Sequence, residues 1–71
     1  MDQLDGYTVQ ELRVRLEELR VEHRDLDEAI SALEDMQPSD QLKISRLKRR
    51  KLKLKDQIAQ VEDRLLPDII A

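Results

Sequence analysis

The chain has 71 residues, no cysteine and a single histidine, and 41% of its residues are charged. This composition excludes a disulfide-stapled domain and a metal site built from cysteine and histidine. A chain of this size buries only about 60% of its unfolded surface, so its own core is marginal. We therefore expect long, well-packed helices supported by self-association, with no cofactor and no metal.

Charge is distributed unevenly along the chain, although the net charge is only −3. Residues 1–40 carry twelve acidic and four basic side chains, whereas residues 43–55 carry eight basic side chains and no acidic one. No apolar run approaches the roughly 20 residues that cross a bilayer. The acidic N-terminus lacks the apolar core of a signal peptide. We therefore expect a cytoplasmic protein.

The first predicted helix follows a short lead-in, residues 1–7. Thr8 and Glu11 have the spacing of a capping box, in which each side chain accepts a hydrogen bond from the amide of the other residue. Nothing interrupts the helical pattern before Pro38. We place helix 1 at residues 8–36.

A turn at residues 37–39 separates this helix from the second. The residue before a proline is disfavoured in helical backbone, so Pro38 ends helix 1. Ser39 or Asp40 then caps helix 2, which spans 40–66 and is followed by a tail, 67–71. So short a linker makes the two helices antiparallel. Residues 51–55 alternate like a strand, but five residues inside a long helical pattern favour the helix.

Apolar residues recur in both predicted helices at alternating spacings of three and four, which is the heptad pattern of a coiled coil. We call these two stripes together the seam. Antiparallel pairing joins them in layers whose residue numbers add to 77, such as Leu19 with Ile58. The predicted fold is therefore all-α, a two-helix antiparallel coiled-coil hairpin. The helix 1 stripe is Val9, Leu12, Leu16, Leu19, His23, Leu26, Ile30 and Leu33. The helix 2 stripe is Ile44, Leu47, Lys51, Leu54, Ile58, Val61 and Leu65.

Two polar residues, His23 and Lys51, interrupt the seam in adjacent layers near its middle. Polar residues at seam positions cost stability but specify register and oligomer state. The alternative interpretation is a proton-transfer site. We expect no enzyme, because a two-helix seam offers no enclosed pocket and no nucleophile. The predicted register-specifying polar cluster is His23, Asp27, Lys48, Lys51 and Lys55.

The same region resembles a known family. Helix 1 carries a histidine followed by a Leu-Asp pair and an apolar residue, and helix 2 carries Lys-Leu-x-Leu-Lys-Asp at residues 51–56. This pattern is similar to that of the YdcH-like family of small bacterial proteins of unknown function, although Gln57 stands where an acid is common. The resemblance implies a bacterial, cytoplasmic helical hairpin and supplies no activity. The matching residues of helix 1 are His23, Leu26, Asp27 and Ile30.

Apolar residues outside the seam indicate a second interface, because stripes at helical spacing are unusual on a monomer's surface. Two hairpins packing through these stripes would form a four-helix bundle. The alternative is that the tail folds over one stripe. We expect a homo-oligomer. The candidate oligomer contacts are Val14, Val21, Leu52, Ala59 and Leu66.

A basic face of helix 2 is a candidate anion-binding surface. Such faces attract nucleic acid because neutralised phosphates release counterions. The apolar stripes favour a protein–protein adaptor as the expected function. The basic face supports the alternative, a nucleic-acid-associated accessory protein. The negative net charge and the lack of stacking aromatics weaken that alternative. Membrane association is disfavoured, because the basic face lacks an opposing Trp/Phe/Leu face. The face consists of Arg46, Arg49, Arg50 and Lys53.

Overall fold

Two helices form an antiparallel hairpin in a computed structural model, which describes residues 6–65. Helix α1 spans Val9–Met36 and helix α2 spans Gln41–Leu65. They pack against each other in a hairpin 44 Å long. The described residues contain no strand, and residues 51–55 are helical. The predicted fold class, a helical hairpin, is confirmed. The proposed tail and the end of helix 2 at Leu66 lie outside the described residues.

A capping box starts α1. The Thr8 amide donates a hydrogen bond to the Glu11 carboxylate at 2.9 Å, and the Glu11 amide donates to the Thr8 hydroxyl at 3.1 Å. The second of these bonds satisfies an amide that the first helical turn leaves without a partner. Hydrogen bonds from the backbone and side chain of Thr8 hold the pKa of Glu11 below its usual value. The capping box predicted from the sequence is confirmed.

The connection between the helices is fixed by hydrogen bonds at both of its ends. The Gln37 amide donates to the Leu33 carbonyl at 2.7 Å and closes α1. At the start of α2, the Lys43 amide donates to the Asp40 carboxylate at 3.3 Å. Asp40 is therefore the residue that caps α2, one of the two candidates from the sequence. Its negative charge also suits the positive end of the helix dipole.

The core consists entirely of seam residues. Among residues 6–65 six side chains are buried, and every other seam residue from Leu16 onward is half-buried. Val9 is the exception, because it was predicted to join the seam and is 58% exposed. Its layer would pair it with residue 68, and the described part of α2 ends at Leu65, so no described α2 side chain covers it. The buried residues are Leu12, Leu19, Ile30, Ile44, Leu54 and Val61.

Three ion pairs between the helices agree with the predicted register. Two lie along one edge of the seam, and their residue numbers add to 82, five more than in the layers. The third lies along the other edge, and its residue numbers add to 72, five fewer than in the layers. An exposed ion pair contributes only about 0–1 kcal/mol, so the apolar layers supply the stability and the charges refine the pairing. The pairs are Lys48–Glu34 at 3.1 Å, Arg20–Glu62 at 2.9 Å and Arg50–Glu22 at 3.5 Å.

An engineered disulfide tests this register in solution. Leu19 and Ile58 belong to the same layer and pack in the same cluster, and the chain has no native cysteine. We expect Leu19→Cys/Ile58→Cys to oxidise to a disulfide within one chain, measured as loss of free thiols at unchanged molecular mass. The control, Leu19→Cys/Leu65→Cys, moves one cysteine two layers away and should stay reduced. The opposite outcome for the two variants would contradict the register.

Candidate functional site

A polar pair joins the two helices at the centre of the hairpin. The Lys51 ammonium donates a hydrogen bond to the Asp27 carboxylate at 2.8 Å. The Lys51 side chain is 31% exposed and the Asp27 side chain is 62% exposed. The aliphatic stem of Lys51 therefore occupies the seam, while its charged end reaches the solvent-exposed edge.

The environment of Asp27 favours its charged form. The hydrogen bond from Lys51 and the positive charge of Lys51 hold the pKa of Asp27 below its usual value, and the nearby His23 acts in the same direction with a smaller effect. His23 is half-buried in the adjacent layer. The centre of the seam is thus an ion pair with a histidine beside it.

Two members of the predicted polar cluster lie apart from this pair. Lys48 binds Glu34 closer to the turn, at 3.1 Å. Lys55 has no ion-pair partner among residues 6–65. The heptad positions place Lys55 opposite Asp27 on the edge of the seam, yet Lys51 takes that carboxylate. The sequence allowed the Lys51 ammonium to reach either water or Asp27, and the choice depends on how far the lysine stem reaches out of the seam.

A pH titration of stability tests the Asp27–Lys51 pair. The folded-state pKa of Asp27 lies below its unfolded value, so its charge stabilises the fold above the unfolded pKa, and this contribution is lost as pH falls through the folded pKa. We expect Asp27→Asn to lower the melting temperature by a few degrees at neutral pH and to have no effect in strong acid. Circular dichroism melts measure both.

Glu17→Gln is the control for this titration. Glu17 is an exposed carboxylate of α1 with no ion pair in the described part of the chain. Its replacement should leave the melting temperature nearly unchanged at both pH values. An Asp27→Asn effect that is equally large in acid would show that the ion pair is not its cause.

The predicted anion-binding face keeps three of its four residues free. Arg46, Arg49 and Lys53 are exposed, and none makes an ion pair with a residue that the structure describes. Arg50 instead contacts Glu22 at 3.5 Å and belongs to the edge of the seam. The free cations extend over about 10 Å of helix, at 1.5 Å per residue.

The candidate oligomer contacts are solvent-exposed where the structure describes them. Val14 is 53% exposed, Val21 43% and Leu52 64%, and Ala59 is also exposed. Leu52 and Ala59 line an open groove of about 600 Å³. Leu66 lies outside the described residues. These side chains therefore present apolar surface that the hairpin itself does not cover.

Besides Tyr7 and Val9, two large apolar side chains are exposed that are not among the candidate oligomer contacts. Leu42 is 67% exposed and Met36 is 79% exposed. Both lie beside the turn, outside the seam positions of the heptad pattern. Their proximity to the turn could be read from the sequence, but their exposure depends on where α1 ends and α2 begins.

The described residues offer neither a metal-binding group nor a membrane span. Within residues 6–65, no cluster of three or more histidine and carboxylate side chains is arranged to hold a metal ion. Neither α1 nor α2 is long and apolar enough to cross a bilayer.

Comparison with known proteins identifies one family. No curated protein and no solved structure matches the chain. The model of DUF465, described as a protein of unknown function, matches residues 16–62. This range covers most of both seam stripes, the Asp27–Lys51 pair and the three ion pairs between the helices. The chain belongs to the DUF465 family of proteins of unknown function.

Proposed function

We propose that the chain is a non-enzymatic protein–protein interaction module, a helical-hairpin adaptor that also associates with itself. The observation that carries this proposal is the exposure of Val14, Val21 and Leu52 outside a core that has six buried side chains in the described part of the chain. A core this small leaves little stability to spare. Covering the exposed stripes in a four-helix bundle would remove apolar surface from water and stabilise both hairpins.

The resemblance to YdcH-like proteins belongs to the same proposal. It rests on the histidine and Leu-Asp pair of α1 and on residues 51–56 of α2. A bacterial origin and a cytoplasmic location would follow from it. An adaptor role accords with a chain whose polar centre is an ion pair and whose grooves are open to solvent.

Mass measurements over a range of concentrations test self-association. We expect light scattering to give a mass that rises above the monomer value of 8.4 kDa as concentration increases. Val21→Glu/Leu52→Glu should shift this rise to higher concentration, because it places charge in both exposed stripes. Arg13→Gln/Arg24→Gln, which lowers the net charge by the same amount at exposed positions of α1 outside both stripes, is the matched control. A wild-type mass of 8.4 kDa at every concentration would refute self-association.

The adaptor role needs a second measurement. An affinity pull-down from the native cell, run with and without nuclease, should recover a protein partner in both conditions. Recovery that depends on intact nucleic acid would favour the second candidate function.

That second candidate is an accessory role on nucleic acid, favoured by the free cations Arg46, Arg49 and Lys53. On this hypothesis the chain is retained on heparin or DNA at low salt and released at moderate salt, because phosphate contacts are salt-dependent. Neutralising the three cations with glutamine should abolish retention, whereas Arg13→Gln/Arg24→Gln on α1 should not. Absence of retention at low salt would exclude the role.

A further inference from the structure

The ion pairs within the hairpin leave opposite free charges on its two helices. Apart from Glu11, which is held in the capping box, four carboxylates of α1 have no ion-pair partner among residues 6–65: Glu17, Asp25, Glu28 and Asp35. By the same criterion α2 keeps five free cations, among them Lys43, Arg49 and Lys53. One copy of the chain therefore presents an acidic helix beside a basic one, with neither fully neutralised.

These free charges occur at matching heights along the hairpin. The layers of the seam place Asp25, Glu28 and Asp35 level with residues 52, 49 and 42 of α2. Lys53, Arg49 and Lys43 lie within one residue of those heights. The heptad pattern directs five of these side chains away from the seam and Lys43 to its edge, where it faces Ala29, so the six do not meet within one chain. Because the acidic and basic side chains lie at the same heights, those of one copy can pair with those of another.

We propose that a second copy of the chain docks face to face on this surface, with a two-fold axis parallel to the helices. The proposal rests on the self-association proposed above and specifies a geometry for the face beside Val14; Leu52 and Ala59 lie on the opposite face of the hairpin and stay exposed in this dimer. Such an axis keeps each residue at its own height and lays α1 of one copy on α2 of the other. Asp25 then meets Lys53 of the second copy, Glu28 meets Arg49 of the second copy, and Asp35 meets Lys43 of the second copy. Symmetry produces each contact twice.

Electrostatics selects this axis over the other two-fold arrangement of the same faces. An axis that runs across the hairpin lays α1 on α1 and α2 on α2. Acidic side chains then face acidic ones and basic face basic, and such like-charge contacts are costly across an interface. Only the axis along the helices joins the acidic helix to the basic one on both sides of the interface.

The shape of this face also suits a neighbouring helix. Ala29 and Ala32 are exposed in the same half of α1, and small side chains allow helix axes to approach closely. Farther from the turn, the face contains an open groove of about 560 Å³ with the exposed side chains of Tyr7 and Val14 among its walls. The second copy would cover this apolar surface while its charges pair near the turn.

Charge reversal tests the proposal. Asp25→Lys/Glu28→Lys places lysines opposite Lys53 and Arg49 of the second copy, and Arg49→Glu/Lys53→Glu places glutamates opposite Glu28 and Asp25 of the second copy. We expect each variant alone to weaken dimerisation by at least about 10-fold, because four pair contacts of the dimer become repulsive. Mixing the two variants should restore a dimer that contains one chain of each. Sedimentation equilibrium at an ionic strength of about 0.02 M gives the dissociation constants, and about 0.5 M should weaken the wild-type dimer.

The control is Arg13→Glu/Arg24→Glu, which reverses two free charges of α1 on the opposite flank of the helix and should leave the dissociation constant unchanged. Circular dichroism checks that every variant keeps its helices. A wild-type dimer that is indifferent to the reversals, or a mixture that stays monomeric, overturns this geometry but leaves self-association standing. A wild-type chain that stays at 8.4 kDa under all conditions overturns both self-association and this geometry. The same holds if the monomeric chain is retained on DNA.

Discussion

Leu19→Ala should lower the melting temperature of the hairpin by about 10 °C or more, the largest effect we expect from a single substitution. Leu19 is 1% exposed at the centre of the main core cluster, and truncating a buried leucine to alanine costs about 2–5 kcal/mol. A domain of this size has a total stability of only about 4–10 kcal/mol. Each kcal/mol corresponds to about 4–8 °C in a small domain. Circular dichroism melts at fixed concentration measure the change.

Leu42→Ala is the matched control, because it removes the same atoms from a helix position that is 67% exposed. Surface substitutions of this kind usually stay within about 0.5 kcal/mol, so this variant should melt close to the wild type. Similar melting of the two variants would show that the apolar seam does not carry the stability of the hairpin.

The double substitution His23→Leu/Lys51→Leu should have the opposite effect on stability. Both residues are half-buried in adjacent layers of the seam, where leucine packs better than a polar side chain. We expect a gain of about 2 kcal/mol from the added apolar burial, which raises the melting temperature by roughly 10 °C. We also expect the variant to populate additional oligomers, because polar seam residues specify one pairing at a cost in stability. Thermal melts and native mass spectrometry measure the two effects.

Arg24→Leu/Lys55→Leu is the control for this pair, since it introduces the same leucines at exposed positions. It should leave the melting temperature nearly unchanged. A lower melting temperature for His23→Leu/Lys51→Leu would contradict the register-specifying role. So would a higher melting temperature accompanied by a single, unchanged oligomer.

The fold could be predicted from the sequence because one repeating feature determines it. The heptad stripes place apolar side chains on one face of each helix, Pro38 forces the turn, and antiparallel pairing then has a register that sets each seam residue of one helix opposite a seam residue of the other. Val9 shows where this reasoning ends. It continues the stripe of α1, but its layer partner would be residue 68, beyond Pro67 and outside the described residues, and its side chain is 58% exposed.

The position of the polar centre could be predicted from the sequence, but the lysine that pairs with Asp27 could not. The heptad positions identify His23 and Lys51 as seam residues, and Asp27 as an edge residue close to them. They also place Lys55 opposite Asp27, whereas Lys51 forms the ion pair at 2.8 Å. The choice between two lysines depends on side-chain conformation, and exposed lysines have many conformations of similar energy. Arg50 likewise left the predicted anion-binding face by reaching Glu22 across the seam.

The short turn capped by Asp40 has a kinetic consequence. Layers near the turn, such as Leu33 with Ile44, close a loop of only about 10 residues, whereas Leu12 with Leu65 closes one of about 50 residues, and loop closure costs more entropy as the loop lengthens. Chains dominated by such graded, local contacts fold quickly. The layers of the hairpin should therefore form in order from Asp40 toward the open end. Substitutions beside the turn should slow folding, while those at the open end should mainly accelerate unfolding.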